Sequence, residues 1–341
     1  MRYLVTGGAG FIGSHLVEAL VALGEAVTVL DDLSTGNLRN LLALRDRIQF
    51  LRGSVTDPAV CQRAMEGVDF VFHHAALTSV PRSVDEPVAA HEINTAGTLN
   101  VLLAARSAGV RRVVYAGSTA AYGDARELPN HEDMPARPLS PYAATKLAAE
   151  EYCRALSATY GLETVTLRYF NVFGPRQDPA SPYAAVIPRF ILAALCREPP
   201  VIYGDGGQTR DFVYVADVVR ANLLACKAPA QRVVGQVFNV GCGEAVGVGQ
   251  LWERIQHLTG IRLAPRYAPG RVGEVRDSRA SIERIRTAIG YTPDTDLEAG
   301  LRLTIDYYRE VEARRHRETA VGEDSLSLPL HGRASRAALP G

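Results

Sequence analysis

Residues 2–13 read R-Y-L-V-T-G-G-A-G-F-I-G, a short apolar stretch that runs directly into a glycine-rich turn. Gly8, Gly10 and Gly13 satisfy the pattern G-x-G-x-x-G, and Gly7, Gly10 and Gly13 satisfy the wider G-x-x-G-x-x-G. An amphipathic segment follows to about residue 23 and stops at a glycine. Glycine allows a tight turn and lets the backbone approach a pyrophosphate at a helix N-terminus. The stretch therefore predicts a strand, a dinucleotide-binding turn and a helix.

The next predicted strand, residues 26–30, ends in Asp31-Asp32. A carboxylate at this place accepts a hydrogen bond from a ribose 2′-hydroxyl and repels a 2′-phosphate, which favours NAD over NADP. The alternative is that the two acids only begin a loop, and it applies more strongly to Asp32 than to Asp31.

Strand-like and helix-like segments continue to alternate along the chain. Strands are predicted at residues 48–51, 68–72, 112–116 and 164–168, and helices at 57–65, 84–107 and 141–160. This alternation predicts an α/β fold with a doubly wound parallel sheet of the Rossmann type. Ligands of such sheets bind at the carboxyl ends of the strands, where the glycine turn, Asp31, Ala75 and Ser118 all fall.

The pattern loosens after residue 170, where proline and glycine become more frequent. We expect an NAD-binding domain of residues 1–170 plus about 213–243, and a smaller, discontinuous C-terminal substrate lobe of about 171–212 plus 244–312. Within this division, residues 213–215, the helix 216–227 and the strand 237–240 return to the main sheet. A last helix is predicted at about 297–312, and 313–341 is predicted to be a disordered tail.

A second candidate site lies in S-P-Y-A-A-T-K, residues 140–146. Ser140 suits a helix N-cap and Pro141 the first helical position, so Tyr142 and Lys146 lie four residues apart on one face. An ammonium beside a phenol favours the phenolate and lowers the pKa of the phenol. Only Lys146 and Lys227 are lysines in a chain with 37 Lys plus Arg. The alternative is an ordinary surface tyrosine and lysine.

Composition restricts the function classes. The formal net charge is zero and the pI is about 7.1, so no basic field indicates nucleic acid or an anionic membrane. No apolar run reaches the roughly 20 residues of a membrane span. The five cysteines are scattered, which favours free thiols in the cytoplasm over disulfides or a zinc site. The adjacent His73 and His74 point to opposite faces of a strand, so no metal is expected.

With these residues in hand, the chain resembles the extended short-chain dehydrogenases/reductases and, within them, the NAD-dependent nucleotide-sugar epimerases. The resemblance covers residues 1 to about 310. It rests on T-G-G-A-G-F-I-G, D-D-L-S-T-G, H-A-A, G-S-T-A-A-Y-G, S-P-Y-A-A-T-K, R-Y-F-N-V-F-G-P-R and T-R-D-F-V-Y-V-A-D-V, in the order of the family. S-V-P-R-S, R-Q-D-P, Y-A-A-V-I-P and G-E-V-R-D-S are most similar to bacterial UDP-N-acetylglucosamine and UDP-glucose 4-epimerases.

The resemblance implies roles for individual residues. Tyr142 is the implied base, Lys146 its electrostatic partner and ribose anchor, and Ser118 the hydroxyl that bonds the sugar O4. The implied NAD contacts are Gly7, Gly10, Phe11, Ile12, Gly13, Asp31, Asp32, Ser34, Thr35, Gly36, Ser54, Val55, Ala75, Ala76, Asn94, Tyr142, Lys146 and Tyr169. The implied substrate contacts are Thr78, Ser79, Ser118, Asn171, Ala185, Val186, Tyr203, Arg210, Arg271, Glu274 and Ser278.

Two positions depart from the family pattern. Gly53-Ser54 stands where relatives have Gly-Asp, so the usual carboxylate contact to adenine is missing and Val55 must hold the ring by packing. Glu274 stands where relatives often have Asp. Arg210 and Arg271 match diphosphate-binding arginines, although each alone is also typical of a surface residue.

The resemblance implies 4-epimerisation of a UDP-hexose through a 4-keto intermediate, by a homodimer. Sugar 4,6-dehydratases of this family carry Asp-Glu after the position of Ser118, where this chain has Thr119-Ala120. Relatives that process uronates tend to have Thr at the position of Asn171 and Arg at that of Asp178. A UDP-glucuronate epimerase, another nucleotide-sugar enzyme such as a dehydratase or decarboxylase, and a non-catalytic NAD-binding regulator remain alternatives.

Overall fold

The computed structural model of the chain describes residues 1–125, 127–179, 185–270 and 275–324, with the backbone alone for 315–324. The strands are β1 Arg2–Thr6, β2 Ala26–Asp31, β3 Ile48–Arg52, β4 Phe70–His73, β5 Arg112–Ser118, β6 Glu163–Tyr169, β7 Asn171–Phe173, β8 Val201–Tyr203, β9 Thr209–Arg210, β10 Phe212–Tyr214, β11 Gln236–Val240, β12 Val246–Gly247 and β13 Arg266–Ala268. The helices are α1 Phe11–Ala22, α2 Pro58–Ala64, α3 Val80–Asp85, α4 Pro87–His91, α5 Gly97–Ser107, α6 Pro141–Tyr160, α7 Val186–Cys196, α8 Val215–Lys227, α9 Ala230–Val233, α10 Val248–Thr259, α11 Glu283–Ile289 and α12 Leu297–Asp324.

Seven of these strands form the central sheet in the order β11-β6-β5-β4-β1-β2-β3, and every neighbouring pair is parallel. The doubly wound parallel sheet predicted from the sequence is therefore confirmed. The chain moves outward from β1 to β3 and then returns to the other side of β1 at β4. This reversal opens a crevice at the carboxyl ends of β1 and β4, which is where ligands of such sheets bind.

Both faces of the sheet are covered by helices, because the strands bury apolar side chains on both sides. One core contains Tyr3, Val5 and Phe72 and is covered by α1 and α8. The other contains Leu4 and Tyr115 and is covered by α2, α5 and α6. Within the described residues, no helix is both long enough and apolar enough to cross a membrane.

A third core lies outside the sheet and joins segments that are distant in sequence. Phe173, Phe190, Phe212, Trp252 and Leu301 are members of it. The structure corrects the prediction that residues 213–215 return to the main sheet. The strand β10 instead pairs with β7, and the rings of Phe212 and Tyr214 lie 6.5 and 5.6 Å from that of Phe173 in this third core. The predicted return of 237–240 is confirmed, because β11 pairs with β6.

The predicted helix over residues 84–107 is divided. It consists of α3, α4, a π-helical turn at Glu92–Ala96 and α5. The break falls at Glu86 (φ −127°, ψ 62°), since the following Pro87 disfavours helical backbone in the residue before it.

The last helix is longer than predicted. It continues past residue 312 to Asp324, because alanine, arginine and glutamate sustain a helix without an apolar face. Residues 325–341 of the predicted tail lie outside the described residues.

Candidate active site

The glycine turn packs so closely that side chains are excluded. Gly7 has φ +68°, and a Cβ atom there would lie 2.7 Å from the Ala75 nitrogen at the end of β4. A Cβ at Gly13 would lie 2.2 Å from the Gly7 carbonyl oxygen. The turn therefore packs tightly against itself and against the residues that follow β4. Because these glycines have no side chains, a ligand in the crevice can approach their backbone.

Helix α1 begins directly after this turn with a free N-terminus. Gly10 is the N-cap residue, no side chain caps the helix, and no acidic side chain lies in its first turn. The first-turn amides belong to Phe11, Ile12 and Gly13. Uncapped amides at a helix N-terminus suit a phosphate group, and the tight glycine backbone allows its approach. These residues fit the pyrophosphate of a dinucleotide.

The two acids after β2 have different surroundings. The buried Asp31 carboxylate accepts hydrogen bonds from the backbone amides of Ala9 (2.9 Å) and Leu33 (2.8 Å). Burial raises the pKa of Asp31 and these two bonds oppose that rise. Asp32 is exposed and accepts from the Ser34 amide at 2.9 Å, as in a loop that it begins. The structure thus brings Asp31 to the glycine turn and leaves Asp32 at the surface.

The remaining predicted NAD contacts on this side differ in burial. Thr35 is exposed, whereas a Cβ at Gly36 would lie 2.7 Å from Asp31 Oδ1. Ser54 Oγ accepts from the amide and the hydroxyl of Thr56 at 3.2 and 2.9 Å. Val55 is buried and touches the position of Gly97, where a Cβ would lie 2.7 Å from its Cγ2 atom.

Asn94 lies in the π-helical turn with its amide group engaged by the protein. Its Oδ1 accepts from the Leu77 amide at 2.8 Å, and its Nδ2 donates to the Leu77 carbonyl and to Thr145 Oγ1, both at 3.0 Å. The side chain therefore ties the segment after β4, which includes Ala75 and Ala76, to the residue before Lys146. The predicted contact of Asn94 with NAD stays a prediction. In the protein, the bonds of its side chain hold these two segments together.

Ser118, Tyr142 and Lys146 come together at the carboxyl end of β5. Ser140 caps α6 as predicted, accepting from the Ala143 amide at 3.2 Å. The backbone amide of Tyr142 donates to Ser83 Oγ of α3 at 3.0 Å, and the Ser118 hydroxyl lies close enough to the Tyr142 phenol to influence its pKa. Lys146 is 5% exposed, one turn further along the inner face of α6.

The electrostatics of this group correct one prediction. Burial raises the pKa of Tyr142, and the nearby Ser118 hydroxyl opposes this rise. Burial also lowers the pKa of Lys146 to about 7. The sequence predicted a Tyr142 pKa lowered by the ammonium, but the Lys146 Nζ atom lies over the ring of Tyr115, 4.4 Å from its centroid. In the protein alone, desolvation is thus the dominant effect on both groups.

The two histidines after β4 belong to separate networks. The Thr98 hydroxyl donates its proton to the Asn94 carbonyl, so it can only accept from His73. His73 Nε2 therefore donates to Thr98 Oγ1 (2.9 Å), and His73 Nδ1 accepts from Thr6 Oγ1 (2.6 Å). His74 Nε2 lies 3.0 Å from the Tyr169 hydroxyl. Burial lowers the pKa of both histidines. Both imidazoles are therefore neutral structural groups at neutral pH.

On the other side of the crevice the predicted substrate residues lie at element ends. Thr78 is exposed and Ser79 caps α3, while Ala185 and Val186 begin α7. Asn171 begins β7, and its backbone amide donates to the Asp211 backbone carbonyl at 2.9 Å. Tyr203 ends β8, with the guanidinium of Arg189 5.9 Å from its ring centroid.

Two further predicted substrate residues lie close to each other. Arg210 Nη1 donates to the Arg276 carbonyl at 3.0 Å, and Asp277 Oδ1 accepts from the Thr209 hydroxyl at 2.6 Å. The partly buried Ser278 is therefore held beside β9. Arg271 and Glu274 lie outside the described residues.

Sequence reasoning missed two buried groups that shape the site. Asp211 accepts from the backbone amides of Cys242, Gly243 and Ala280 at 2.8, 2.9 and 3.0 Å, and so holds the segment that carries Ser278. Glu150 of α6 accepts two hydrogen bonds from Arg168 of β6, at 2.5 and 2.9 Å. A signal existed for both, since Asp211 lies within T-R-D-F and Glu150 follows Lys146 at helical spacing.

The fold and the crevice define a dinucleotide-binding enzyme with a Ser-Tyr-Lys group. The model of the NAD dependent epimerase/dehydratase family matches residues 3–241, and the chain belongs to that family. Dependence on NAD, predicted from Asp31, agrees with this membership.

Individual relatives match most of the chain. A UDP-glucose 4-epimerase of Mycolicibacterium smegmatis is 41% identical, over 91% of this chain and 99% of that protein. The structure of a UDP-glucose 4-epimerase with UDP-glucose from Thermotoga maritima aligns with a TM-score of 0.87 at 39% identity, covering 91% and 99%. That of a UDP-N-acetylglucosamine 4-epimerase from Methanobrevibacter ruminantium M1, in complex with UDP-N-acetylmuramic acid, aligns with a TM-score of 0.86 at 39% identity, covering 91% and 98%.

Proposed function

We propose that the protein catalyses the NAD-dependent 4-epimerisation of a UDP-hexose through a transient 4-keto sugar. The observation that carries the proposal is the placement of Ser118 at the end of β5 beside Tyr142, with Lys146 one helical turn away on α6, in the crevice that also holds the glycine turn. Relatives that carry this activity in their names align over 91% of the chain.

In the proposed mechanism, Tyr142 as phenolate accepts the proton of the sugar 4-hydroxyl while Ser118 bonds the same oxygen. NAD, when bound, supplies the acceptor and later the donor of the hydride at C4. The 4-keto sugar turns about its diphosphate link, so that the hydride returns to the opposite face of C4, and Tyr142 returns the proton to O4. Burial raises the pKa of Tyr142 in the protein alone. We propose that the Lys146 ammonium, one helical turn away, favours the phenolate during the reaction.

The test is a substrate panel without added cofactor. The purified protein is incubated with UDP-glucose, UDP-galactose, their N-acetyl counterparts, UDP-glucuronate and dTDP-glucose, and the products are identified by NMR. Interconversion of a 4-epimeric UDP-hexose pair is expected. Loss of water or of carbon dioxide from the sugar, or no turnover with any member, would contradict the proposal.

We further propose that the pocket admits N-acetylated hexoses. Ser278 and Ala185 are the proposed pocket residues, and relatives restricted to UDP-glucose and UDP-galactose often have larger side chains there. The keto sugar must rotate in this space, so an N-acetyl group needs room in two orientations. Ser278 is partly buried and lies beside the strand of Arg210, which supports its placement near the substrate.

The Ser278→Tyr variant tests this pocket. Turnover of the UDP-N-acetylhexoses is expected to fall at least tenfold relative to that of UDP-glucose and UDP-galactose, because the phenol ring fills the acetyl space. Ser281→Tyr, three residues further along the same segment, is the control for a general effect of added bulk. An equal loss for both substrate pairs, or no change in either, would remove Ser278 from the pocket.

The rival functions have less support. Thr119-Ala120 begin a 3₁₀ turn at Thr119–Tyr122 directly after Ser118, so no acid stands where dehydratases carry their pair. A non-catalytic regulator would not need Ser118, Tyr142 and the buried Lys146 together.

Three further proposals concern the domains, the cellular location and the assembly of the protein. We propose that the two cores of the sheet belong to an NAD-binding domain and the third core to a substrate lobe, which also contributes Ile285 and Tyr291 to one core of the sheet. We propose a cytoplasmic location, where the five free cysteines stay reduced. We also propose that the protein is a homodimer.

A further inference from the structure

Helix α6 turns its small and polar residues toward the sheet. Ala143, Lys146, Ala149, Glu150 and Cys153 are all buried, at spacings of three and four residues. A lysine on such an inner face cannot reach bulk water easily, so its ammonium needs a partner inside the protein. That partner is a side chain of β5.

Tyr115 lies three residues before Ser118 on β5 and is 1% exposed. Its ring centroid lies 4.4 Å from the Lys146 ammonium, well within the range of a cation–π contact. Its hydroxyl donates to the Lys146 backbone carbonyl at 3.3 Å. Tyr115 therefore contacts both the backbone and the charged end of the same lysine.

The other ionisable groups around Lys146 are occupied or neutral. From α6 itself, Glu150 is bonded twice to Arg168 of β6, and burial raises the pKa of the Cys153 thiol to about 12. From β4, His73 and His74 have pKa values lowered by burial and by the Lys146 charge.

Tyr142 completes this set of neighbours, and burial raises its pKa. Burial alone would favour neutral Lys146, and it lowers the pKa of that group to about 7 against the opposing effects of Cys153 and Glu150. The ring face of Tyr115 is the electron-rich surface in direct contact with the ammonium.

We propose that Tyr115 is a positioning residue, whose ring face holds the Lys146 ammonium in the site in its charged form. The proposal rests on the role of Lys146 in the proposed function. The contact explains how a lysine that is 5% exposed can stay charged for its task near Tyr142. It also explains why the ammonium points at β5 rather than at solvent.

The scarcity of lysine makes the contact directly measurable. Because Lys146 and Lys227 are the only two lysines of the chain, protein labelled with ¹³C at the lysine ε-carbon gives two side-chain signals. The exposed Lys227, at the end of α8, is an internal reference, and Lys227→Arg assigns the pair. The protein is used as purified, without addition or removal of cofactor.

In the parent protein, the Lys146 ε-protons are expected upfield of those of Lys227, because they lie over an aromatic ring, and Lys146 is expected to titrate at lower pH. Tyr115→Phe keeps the ring face and both features. Tyr115→Leu removes the ring face, so the upfield shift is lost and the Lys146 pKa falls by about one further unit. Tyr3→Leu removes another buried ring, in the core on the opposite face, and should leave both signals unchanged.

Several outcomes would overturn the proposal. A parent spectrum without the upfield shift is one, and it requires no variant to fold. Loss of the shift in Tyr115→Phe is another, and an unchanged Lys146 pKa in a folded Tyr115→Leu protein is a third. These readouts do not depend on turnover, so they stand even if the proposed activity fails.

A kinetic measurement tests the link to the reaction. A lower Lys146 pKa means that the ammonium is lost at lower pH, so the alkaline limb of kcat should move about one pH unit lower in Tyr115→Leu, with KM for the UDP-sugar within about threefold of the parent. Tyr115→Phe should follow the parent profile. A shifted Lys146 pKa with an unchanged kcat profile would overturn the positioning role.

Discussion

At the level of single residues, the site depends on side chains whose orientation and protonation are set by the packed protein. Tyr142 is held by the first turn of α6 and by the bond from its backbone amide to Ser83, and the Ser118 hydroxyl lies near its phenol. Such fixing sets the direction of proton transfer before the substrate arrives, which lowers the entropic part of the barrier.

Tyr142→Phe should abolish turnover while the cofactor and the UDP-sugar still bind. The ring keeps its packing and only the proton acceptor is lost, which typically lowers kcat by about 10²–10⁴-fold. Tyr152→Phe, on the exposed side of the same helix, is the matched control and should retain full activity. Activity of Tyr142→Phe within threefold of the parent would show that the base lies elsewhere.

Lys146→Arg should also fail, although it keeps the positive charge. The lysine side chain is 5% exposed and its ammonium lies 4.4 Å from the Tyr115 ring centroid, which leaves no space for a planar guanidinium with a different set of donors. We expect kcat to fall at least a hundredfold in a steady-state assay. Lys227→Arg changes the other lysine in the same way and should behave as the parent; equal behaviour of the two variants would contradict the role of Lys146.

At the level of elements, the site is a junction of loops that buried polar groups hold in register. Asp211 is fully buried between β9 and β10 and accepts three backbone amides from two other segments, those of Cys242–Gly243 and Ala280. The neighbouring Arg210 and Ser278, both proposed to contact substrate, depend on this junction for their positions.

Asp211→Asn should therefore weaken both stability and substrate binding. The amide offers one acceptor oxygen where the carboxylate has two, and its NH₂ group faces backbone donors, so we expect a loss of about 2–4 kcal/mol in the free energy of unfolding. KM for the UDP-sugar should rise more than kcat falls. Urea denaturation and steady-state kinetics measure the two effects.

The control is Asp306→Asn, which changes an exposed acid that forms an ion pair with Arg309 on α12 and should cost less than about 1 kcal/mol. If both variants have the same stability, Asp211 does not hold the junction.

The elements also show which parts of the structure the sequence encodes locally. The glycine turn, the cap at Ser140 and the positions of the main strands along the chain follow from neighbouring residues and could be predicted. The pairing of β7 with β10 could not, because it depends on aromatic packing between segments about 40 residues apart. The break at Glu86 was readable from Pro87, whereas the π-helical turn that holds Asn94 has no local signature.

The site residues divide in the same way, into those that local motifs mark and those that depend on tertiary packing. Tyr142, Lys146 and Ser118 were predictable because motifs mark them, but the direction of the Lys146 ammonium was not. That direction is set by Tyr115, 31 residues earlier in the chain, and by the burial of both side chains. The pKa values of Tyr142 and Lys146 then follow from desolvation, a property of the packed molecule rather than of the four-residue spacing.

At the level of the whole molecule, the crevice between the sheet and the third core should retain its cofactor. An epimerase must return the same hydride to the sugar, and release of the reduced cofactor in mid-cycle would strand the keto sugar. We therefore expect about one NAD(H) per chain in the supernatant of acid-precipitated, freshly purified protein. Cofactor-free protein that turns over only with added NADP would contradict this expectation.

The outer surface of the helices over one face of the sheet indicates how two copies could meet. The inner faces of α5 and α6 cover the sheet, but their outer faces and those of α3 and α4 keep large apolar side chains in solvent: Val80, Val84, Val88, Leu103, Tyr152 and Tyr160. Val80 and Val84 lie four residues apart on one side of α3, and Val88 follows on α4 after the break at Glu86. A two-fold contact between such faces would bury them in a four-helix arrangement.

Val88→Arg tests this assembly, since Val88 is 68% exposed in the single chain and a charge there costs little unless a partner covers it. We expect light scattering to give a dimer for the parent at micromolar concentration and a monomer for the variant, with an unchanged circular dichroism spectrum. Leu303→Arg places the same charge at an apolar residue on α12 that is 52% exposed, and it should remain a dimer. A monomeric parent would mean that these helices only cover the sheet, and a dimeric Val88→Arg protein would move the interface to another face.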